Sequence, residues 1–168
     1  MRKTWLVLPL LLALAGCNFN FKVGGQVTTM IDSVSDTNGH KVHNRLVFTH
    51  YVMRAAIGNN PVTAAYVTIK NEGDQADRLV SASCACSQSA TLHTMVMQGQ
   101  DMIMEEPKDG FPVAPGQTLV FKPGGNHIML SGLTNPPKDG GTETLTLHFE
   151  RAGDVKLPMP VSATPQGQ

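Results

Sequence analysis

The chain has 168 residues, of which 41% are hydrophobic and 15% charged, and its 13 Lys and Arg balance its 13 Asp and Glu. The balance excludes the basic surface that nucleic-acid binding requires and the acidic tail that would attract a cationic partner. The length beyond the N-terminal segment is typical of one domain with its own hydrophobic core.

Residues 1–16 predict a signal for export. Arg2 and Lys3 precede an apolar run that is too short for a comfortable membrane span. The run ends in Leu14-Ala15-Gly16-Cys17, which resembles the bacterial lipobox, where the Cys is acylated and the chain is cut just before it. We therefore expect Cys17 to anchor the protein to the membrane on the periplasmic side of the envelope, since two or three acyl chains bind stably. A plain signal peptide is the alternative.

The composition of the sequence divides the rest of the chain into three further segments. Residues 17–45 show little apolar periodicity and are interpreted as the lipidated Cys and a spacer, with one short strand at Gly25–Ile31. His40 and His43 in this spacer are expected to be solvated, with an auxiliary metal site as the alternative. Residues 46–161 are predicted to form one domain, and residues 162–168 a flexible tail.

The domain reads as short strands separated by turn signals about every ten residues, which predicts an all-β sandwich or Greek-key barrel. No stretch has a convincing helical period. His50 and His148 are expected to be solvated, and the last strand is expected to lie at an edge. The predicted strands are Leu46–Arg54, Thr63–Lys70, Arg78–Ser83, Thr118–Lys122, His127–Leu130, Thr142–Glu150 and Val155–Val161.

Residues 92–130 hold two of the six His and five of the nine Met. His93, Met95 and Met97 recur at a spacing of two, as do Met102 and Met104, and His127 and Met129. Residues at this spacing share one face of a strand. Thioether sulfur and neutral imidazole together suit Cu(I), whereas Zn(II), Mg(II) and Ca(II) prefer thiolate, imidazole or oxygen. Methionine also fills gaps in cores, and that interpretation stays open for Met97 and Met102.

The spacing of these His and Met residues also resembles the pattern of a known family. Ten residues separate His93 from Met104, twenty-two separate Met104 from His127, and one separates His127 from Met129. This arrangement, with the surrounding AAYVTIKNEGDQADRLV and VAPGQTLVFKPGGNHIML, is similar to the signature of the periplasmic copper chaperone PCu(A)C family. The similarity extends over Leu46–Pro160.

The resemblance implies a cupredoxin-like fold in which His93, Met104, His127 and Met129 bind one Cu(I). It also implies delivery of the copper to a cuproprotein, chiefly to the CuA site of cytochrome c oxidase subunit II. The twenty-two-residue spacing is one longer than the family pattern. An extra residue within a strand would reverse the facing of His127, so we expect it in the loop Glu105–Gly110.

With Cys17 lipidated, Cys84 and Cys86 remain as a pair in an oxidising compartment. Their Cα atoms in an extended strand would lie near the upper limit for a disulfide, so a bridge requires a turn or strain. We expect the disulfide. Two auxiliary Cu(I) ligands and a thiol-disulfide exchange pair are the alternatives.

Several chemistries lack their motifs. No Cys follows Cys86, which excludes electron-transfer copper sites, and the strings CxxCH, HExxH, the phosphate loop and GxSxG are missing. Nothing indicates a catalytic triad. With the Cu(I) site and the delivery that the resemblance implies, we predict a monomeric Cu(I)-binding delivery protein and not an enzyme. The alternatives are a thiol-disulfide oxidoreductase acting through Cys84 and Cys86, and a metal-free β-sandwich that binds other envelope proteins.

Overall fold

The computed structural model describes residues 29–30, 34–35, 41–42 and 45–165, and these ranges contain thirteen β-strands. None of the ranges contains a helix that could serve as a transmembrane span. The strands are β1 Thr29–Met30, β2 Val34–Ser35, β3 Lys41–Val42, β4 Leu46–Arg54, β5 Val62–Asn71, β6 Asp77–Cys84, β7 Ser87–Gln98, β8 Asp101–Glu105, β9 Phe111–Val113, β10 Thr118–Phe121, β11 His127–Leu133, β12 Thr142–Phe149 and β13 Gly153–Ser162.

The hydrogen-bonded strand order is β8-β7-β11-β5-β4-β13-β12-β6-β9. In addition, β1 pairs with β4, β10 pairs with β5, and β2 and β3 form a separate ribbon. All of these pairs are antiparallel except β13 with β4. The expected all-β class is therefore confirmed.

One hydrophobic core lies between the strands, and alternation along each strand supplies it. On β12, Leu145, Leu147 and Phe149 are buried, as the sequence predicts. Phe48 packs its ring edge-on against Phe149 with centroids 6.0 Å apart, which joins β4 to β12 across the core. The core thus packs the two halves of the sheet against each other.

The last strand differs in part from its prediction. Strand β13 pairs with β12 along its whole length, and its end, Val161 and Ser162, also pairs with β4. The expected edge position is therefore wrong for these two residues. Pro158 and Pro160 lie before that contact, where β13 has one neighbour, so their missing N–H groups interrupt no second ladder.

Two strands have local irregularities, which are a central proline in β9 and a bulge in β4. Strand β9 was not predicted, because it has three residues with Pro112 at its centre. The register of β4 shifts between Thr49 and Val52, and His50 in this bulge has φ of 48° and an exposed side chain, as expected for a solvated histidine.

Asn71, at the end of β5, is fully buried and holds the loop after β5 and the end of β9 in place. Its amide nitrogen donates to the carbonyls of Gln75 at 2.7 Å and Val113 at 2.8 Å, and its amide oxygen accepts from the backbone N–H of Gly73 at 2.9 Å.

We expect Asn71→Ala to lower the free energy of unfolding by about 2–4 kcal/mol, because buried backbone groups lose their partners. Denaturant unfolding followed by circular dichroism measures the change. The control is Asn60→Ala, which removes one exposed hydrogen bond to the N–H of Val62. A loss at Asn71 no larger than at Asn60 would contradict this role.

Candidate metal centre

The pairing of β7 with β11 sets His93 directly opposite His127. The two imidazole rings meet edge to face, with centroids 5.3 Å apart and an angle of 86° between their planes. Their neighbours Leu92 and Ile128 also pair and are buried in the core. Because successive residues of a strand face opposite sides, the two histidines lie together on the face turned away from the core.

Two methionines extend this face. Met129 follows His127 at the strand spacing of two and lies opposite Thr91 on β7. Met104 on β8 lies opposite Met95, which follows His93 by two residues. Side chains of directly opposed residues share a face. All four residues of the predicted ligand set therefore project from the same side of the sheet.

His127 is oriented by the turn that precedes β11. Its Nδ1 lies 3.0 Å from the carbonyl oxygen of Gly125, so the neutral ring donates its Nδ1–H to that oxygen. The tautomer is assigned from this contact. It leaves the lone pair of Nε2 free to bind a metal, the arrangement in which an outer carbonyl fixes a ligand imidazole.

His93 is 6% exposed, and its Nδ1 is buried without a hydrogen-bond partner among the residues that the structure describes. Burial, and then the neighbouring His127, lower the pKa of His93, while Glu106 opposes them. A neutral imidazole with an unpaired buried nitrogen is costly unless something binds it. A soft cation fits this donor.

Accessibility rises from the histidines toward the hairpin of β7 and β8. His93 is buried, His127 and Met129 are half-buried, and Met104 is 49% exposed. His127 and Met129 also line an open cleft of about 350 Å³, whose other walls include Tyr66 and Pro123. The site is therefore anchored at one end and open to solvent at the other.

The long spacing between Met104 and His127 does not reverse the facing of His127. Residues 106–110 form a loop between β8 and β9, closed by a hydrogen bond from Gly110 N–H to the Pro107 carbonyl at 3.0 Å. Gly110 has φ of +69°, and a Cβ there would lie 2.1 Å from the carbonyl oxygen of Leu79. The loop thus packs tightly on β6.

Met97 and Met102 are not core residues. They are 65% and 57% exposed, so the interpretation that they fill gaps in the core is wrong. They oppose each other on β7 and β8, on the same face as Met95 and Met104. Their spacing in the sequence does not decide their role, because it does not show how far the hairpin of β7 and β8 extends beyond the neighbouring strand.

Cys84 and Cys86 form a disulfide, with their Cα atoms 5.1 Å apart. The chain turns at Ala85 and Cys86, which brings the two residues closer than an extended strand would. The carbonyl of Cys86 accepts from the N–H of Thr134 at 2.9 Å. A carboxylate oxygen of Glu143 and the two sulfur atoms lie within 4.8 Å of one another.

A hydrogen-bonded trio on the other half of the sheet contradicts the expectation that His148 is merely solvated. His148 lies 2.6 Å from Asp154 through Nδ1 and 2.9 Å from the Ser83 hydroxyl through Nε2. The order is that of a hydrolase triad, but Ser83 and Asp154 are exposed and none of the three lines the cleft described above. His148 directly opposes Asp154, so a cross-strand hydrogen bond explains the contact.

Cys17, His40 and His43 lie outside the described residues, as do the predicted signal and most of the spacer. Strand β1, Thr29–Met30, falls within the predicted Gly25–Ile31 strand. At the C-terminal end, β13 continues to Ser162, the N–H of Ala163 donates to Asp139 at 2.8 Å, and residues 166–168 are not described.

Comparison with known proteins agrees with this architecture. Residues 46–161 match the family model described as "Putative lipoprotein LpqE-like". The chain is 32% identical over 155 residues to "Putative lipoprotein Lxx21020" of Leifsonia xyli subsp. xyli, covering 92% of this chain and 86% of that protein.

Among solved structures, the copper-bound PCuAC domain from PmoF2 superposes with a TM-score of 0.59 at 24% identity, covering 71% of this chain and 93% of that domain. The solution structure of CuI-DR1885 from Deinococcus radiodurans gives 0.53 at 29% identity, covering 68% and 76%. The predicted cupredoxin-like fold is therefore confirmed.

We expect nitrogen-15 NMR of neutral His127 to show a protonated Nδ1 and an unprotonated Nε2, because the Gly125 carbonyl accepts from Nδ1. Long-range nitrogen–proton correlation spectra of the metal-free protein distinguish the two tautomers. Addition of Ag(I) should then shift Nε2 more than Nδ1. A ring protonated at Nε2 would contradict the orientation described here.

Proposed function

The chain belongs to the LpqE-like lipoprotein family, and we propose that it binds one Cu(I) through His93, Met104, His127 and Met129 and delivers it to a cuproprotein. The observation that carries the proposal is the direct opposition of His93 and His127 on the face that also carries Met104 and Met129. Two imidazoles and two thioethers then converge from three adjacent strands.

The donor atoms select the metal. Neutral imidazole and thioether are uncharged, borderline to soft ligands, and they favour Cu(I) over hard cations. The buried, unpaired Nδ1 of His93 and the free Nε2 of His127 supply the two nitrogen donors. The PmoF2 domain is copper-bound and DR1885 is in its Cu(I) form, which supports the same cargo here.

The openness of the site supports delivery. Met104 is half exposed, so an acceptor's thiolate can approach the metal while both histidines still hold it. Thiolate binds Cu(I) more strongly than thioether does, which gives the transfer its direction. Thioethers carry no charge and form no disulfides, which suits an oxidising compartment, although sulfoxide formation would damage them.

The acceptor that we propose is the CuA site of cytochrome c oxidase subunit II, whose cysteines would take the ion by ligand exchange. Acylation of Cys17 would hold the protein at the membrane on the periplasmic side, close to such an acceptor. Membership of a lipoprotein family supports this anchor.

We expect His127→Ala and Met104→Leu each to weaken Cu(I) affinity by at least about tenfold, since even the outer partners of ligands change metal affinity by about 10–100-fold. Competition titration with a chromophoric Cu(I) chelator measures the change. His148→Gln is the matched control, because it alters a histidine of β12 outside the site. Unaltered affinity in both site variants would refute the ligand assignment, and no binding by the parent protein would favour a metal-free function.

A second candidate, a thiol-disulfide oxidoreductase, is favoured by the disulfide of Cys84 and Cys86. Its surroundings do not favour attack, since Cys86 is 1% exposed. In addition, the described part of the chain has no helix whose N-terminus could lower a thiol pKa. We therefore rank it below copper delivery.

Transfer separates these two functions. When the Cu(I)-loaded protein is mixed with an apo CuA domain whose cysteines are already reduced, we expect copper to elute with the acceptor on gel filtration. The double variant Cys84→Ser/Cys86→Ser should transfer equally well. Transfer that requires both cysteines would instead support thiol chemistry, and retention of copper by the donor would contradict delivery to this acceptor.

A further inference from the structure

The hairpin of β7 and β8 carries thioethers that the four-residue site does not use. Beyond His93, residues 94–98 of β7 pair with residues 101–105 of β8. Gly99 and Gln100 form the turn, and Gly99 has φ of +67°, which a two-residue hairpin turn commonly requires. Because β11 begins at His127, opposite His93, this hairpin extends past the end of β11.

The register of the hairpin stacks four methionines in two rows. Met95 opposes Met104, and Met97 opposes Met102. Opposed side chains have Cβ atoms about 4.5–5.5 Å apart, and residues two apart along a strand are separated by about 7 Å. We call these four residues the methionine ladder. Its inner row, Met95 and Met104, adjoins the histidines, and its outer row, Met97 and Met102, lies next to the turn.

Met97 and Met102 of the outer row are exposed, although apolar side chains are normally stabilised by burial. Met97 is 65% and Met102 is 57% exposed, whereas Val96 and Ile103 on the opposite face are half-buried. Adjacent exposed apolar side chains on an edge hairpin invite aggregation, so proteins usually place charges there. The charged residues nearest the turn, Asp101 and Glu105, project from the other face by strand alternation.

We propose that Met97 and Met102, with Met95, form a second and weaker Cu(I) site from which the inner site is loaded. Three flexible thioethers on one face can surround one soft cation, because methionine has three rotatable bonds and a polarizable sulfur. The inference rests on the proposed copper function, since the ladder leads to the histidine pair.

Movement along the ladder exchanges ligands and nothing else. The Cu–S bonds to Met97 and Met102 break as bonds to Met104 and Met129 form, and bonds to the two imidazoles then replace the bond to Met95. The metal stays Cu(I), and no proton or electron is transferred. Imidazole nitrogens supplement the thioethers only at the inner end, so we expect the ion to be held most tightly there.

The test uses the full chain with methyl-carbon-13 methionine and Ag(I), an air-stable ion with the preferences of Cu(I). We expect the first equivalent to shift the methyl signals of Met104 and Met129, and the second to shift those of Met97 and Met102. Met97→Leu/Met102→Leu preserves size and apolar character, so it should lose the second event and keep the first. Circular dichroism checks that the variant folds.

Two results would overturn the second site: methyl signals of Met97 and Met102 that do not move in excess Ag(I), or a second binding event that persists in the double leucine variant. His127→Ala keeps this test independent of the proposed function. In that variant the inner event should weaken while the shifts of Met97 and Met102 remain. If the parent protein shows the outer shifts but never those of Met104 and Met129, the proposed inner site and its loading fail, whereas the outer site stands.

Discussion

The antiparallel pairing of β7 with β11 is the constraint on which the candidate site depends. It sets His93 against His127 on one face while Leu92 and Ile128 meet on the other face, inside the core. A shift of one residue would exchange these faces and place two imidazoles among aliphatic side chains. The burial of Leu92 and Ile128 therefore holds the histidines in register, so the hydrophobic core and the polar site are specified by the same pairing.

Much of the fold could be predicted because alternation is a local property of the sequence. Leu145, Leu147 and Phe149 recur at a spacing of two, and they are buried as that pattern indicates. The same rule grouped His127 with Met129 and His93 with Met95 before any pairing was known. What alternation does not contain is the partner of each strand. The opposition of His93 to His127 is a property of the fold, and the resemblance to a family implied only that the two histidines bind the same ion.

The predictions that failed also depend on relations between strands. The spacing of Met97 and Met102 is compatible with a core position. In the structure, however, their hairpin extends past β11 and the face that carries them is exposed. His148 contacts Asp154 across β12 and β13, and it also contacts Ser83 on β6, although His148 and Ser83 are 65 positions apart in the sequence. No short motif encodes contacts of that range. Strand β9 was missed because a central proline disfavours a strand wherever both of its sides are paired.

The position of Met104 on β8 has a dynamic consequence. β8 stands at the end of the strand order and, within the part of the chain that the structure describes, pairs with β7 alone. Terminal strands of this kind open with less free energy than strands held on both sides. The thioether of Met104 can thus move away by local fraying of β8 while β7 and β11 stay paired. At the proposed copper site, this motion would release a single ligand without loosening the interior of the protein.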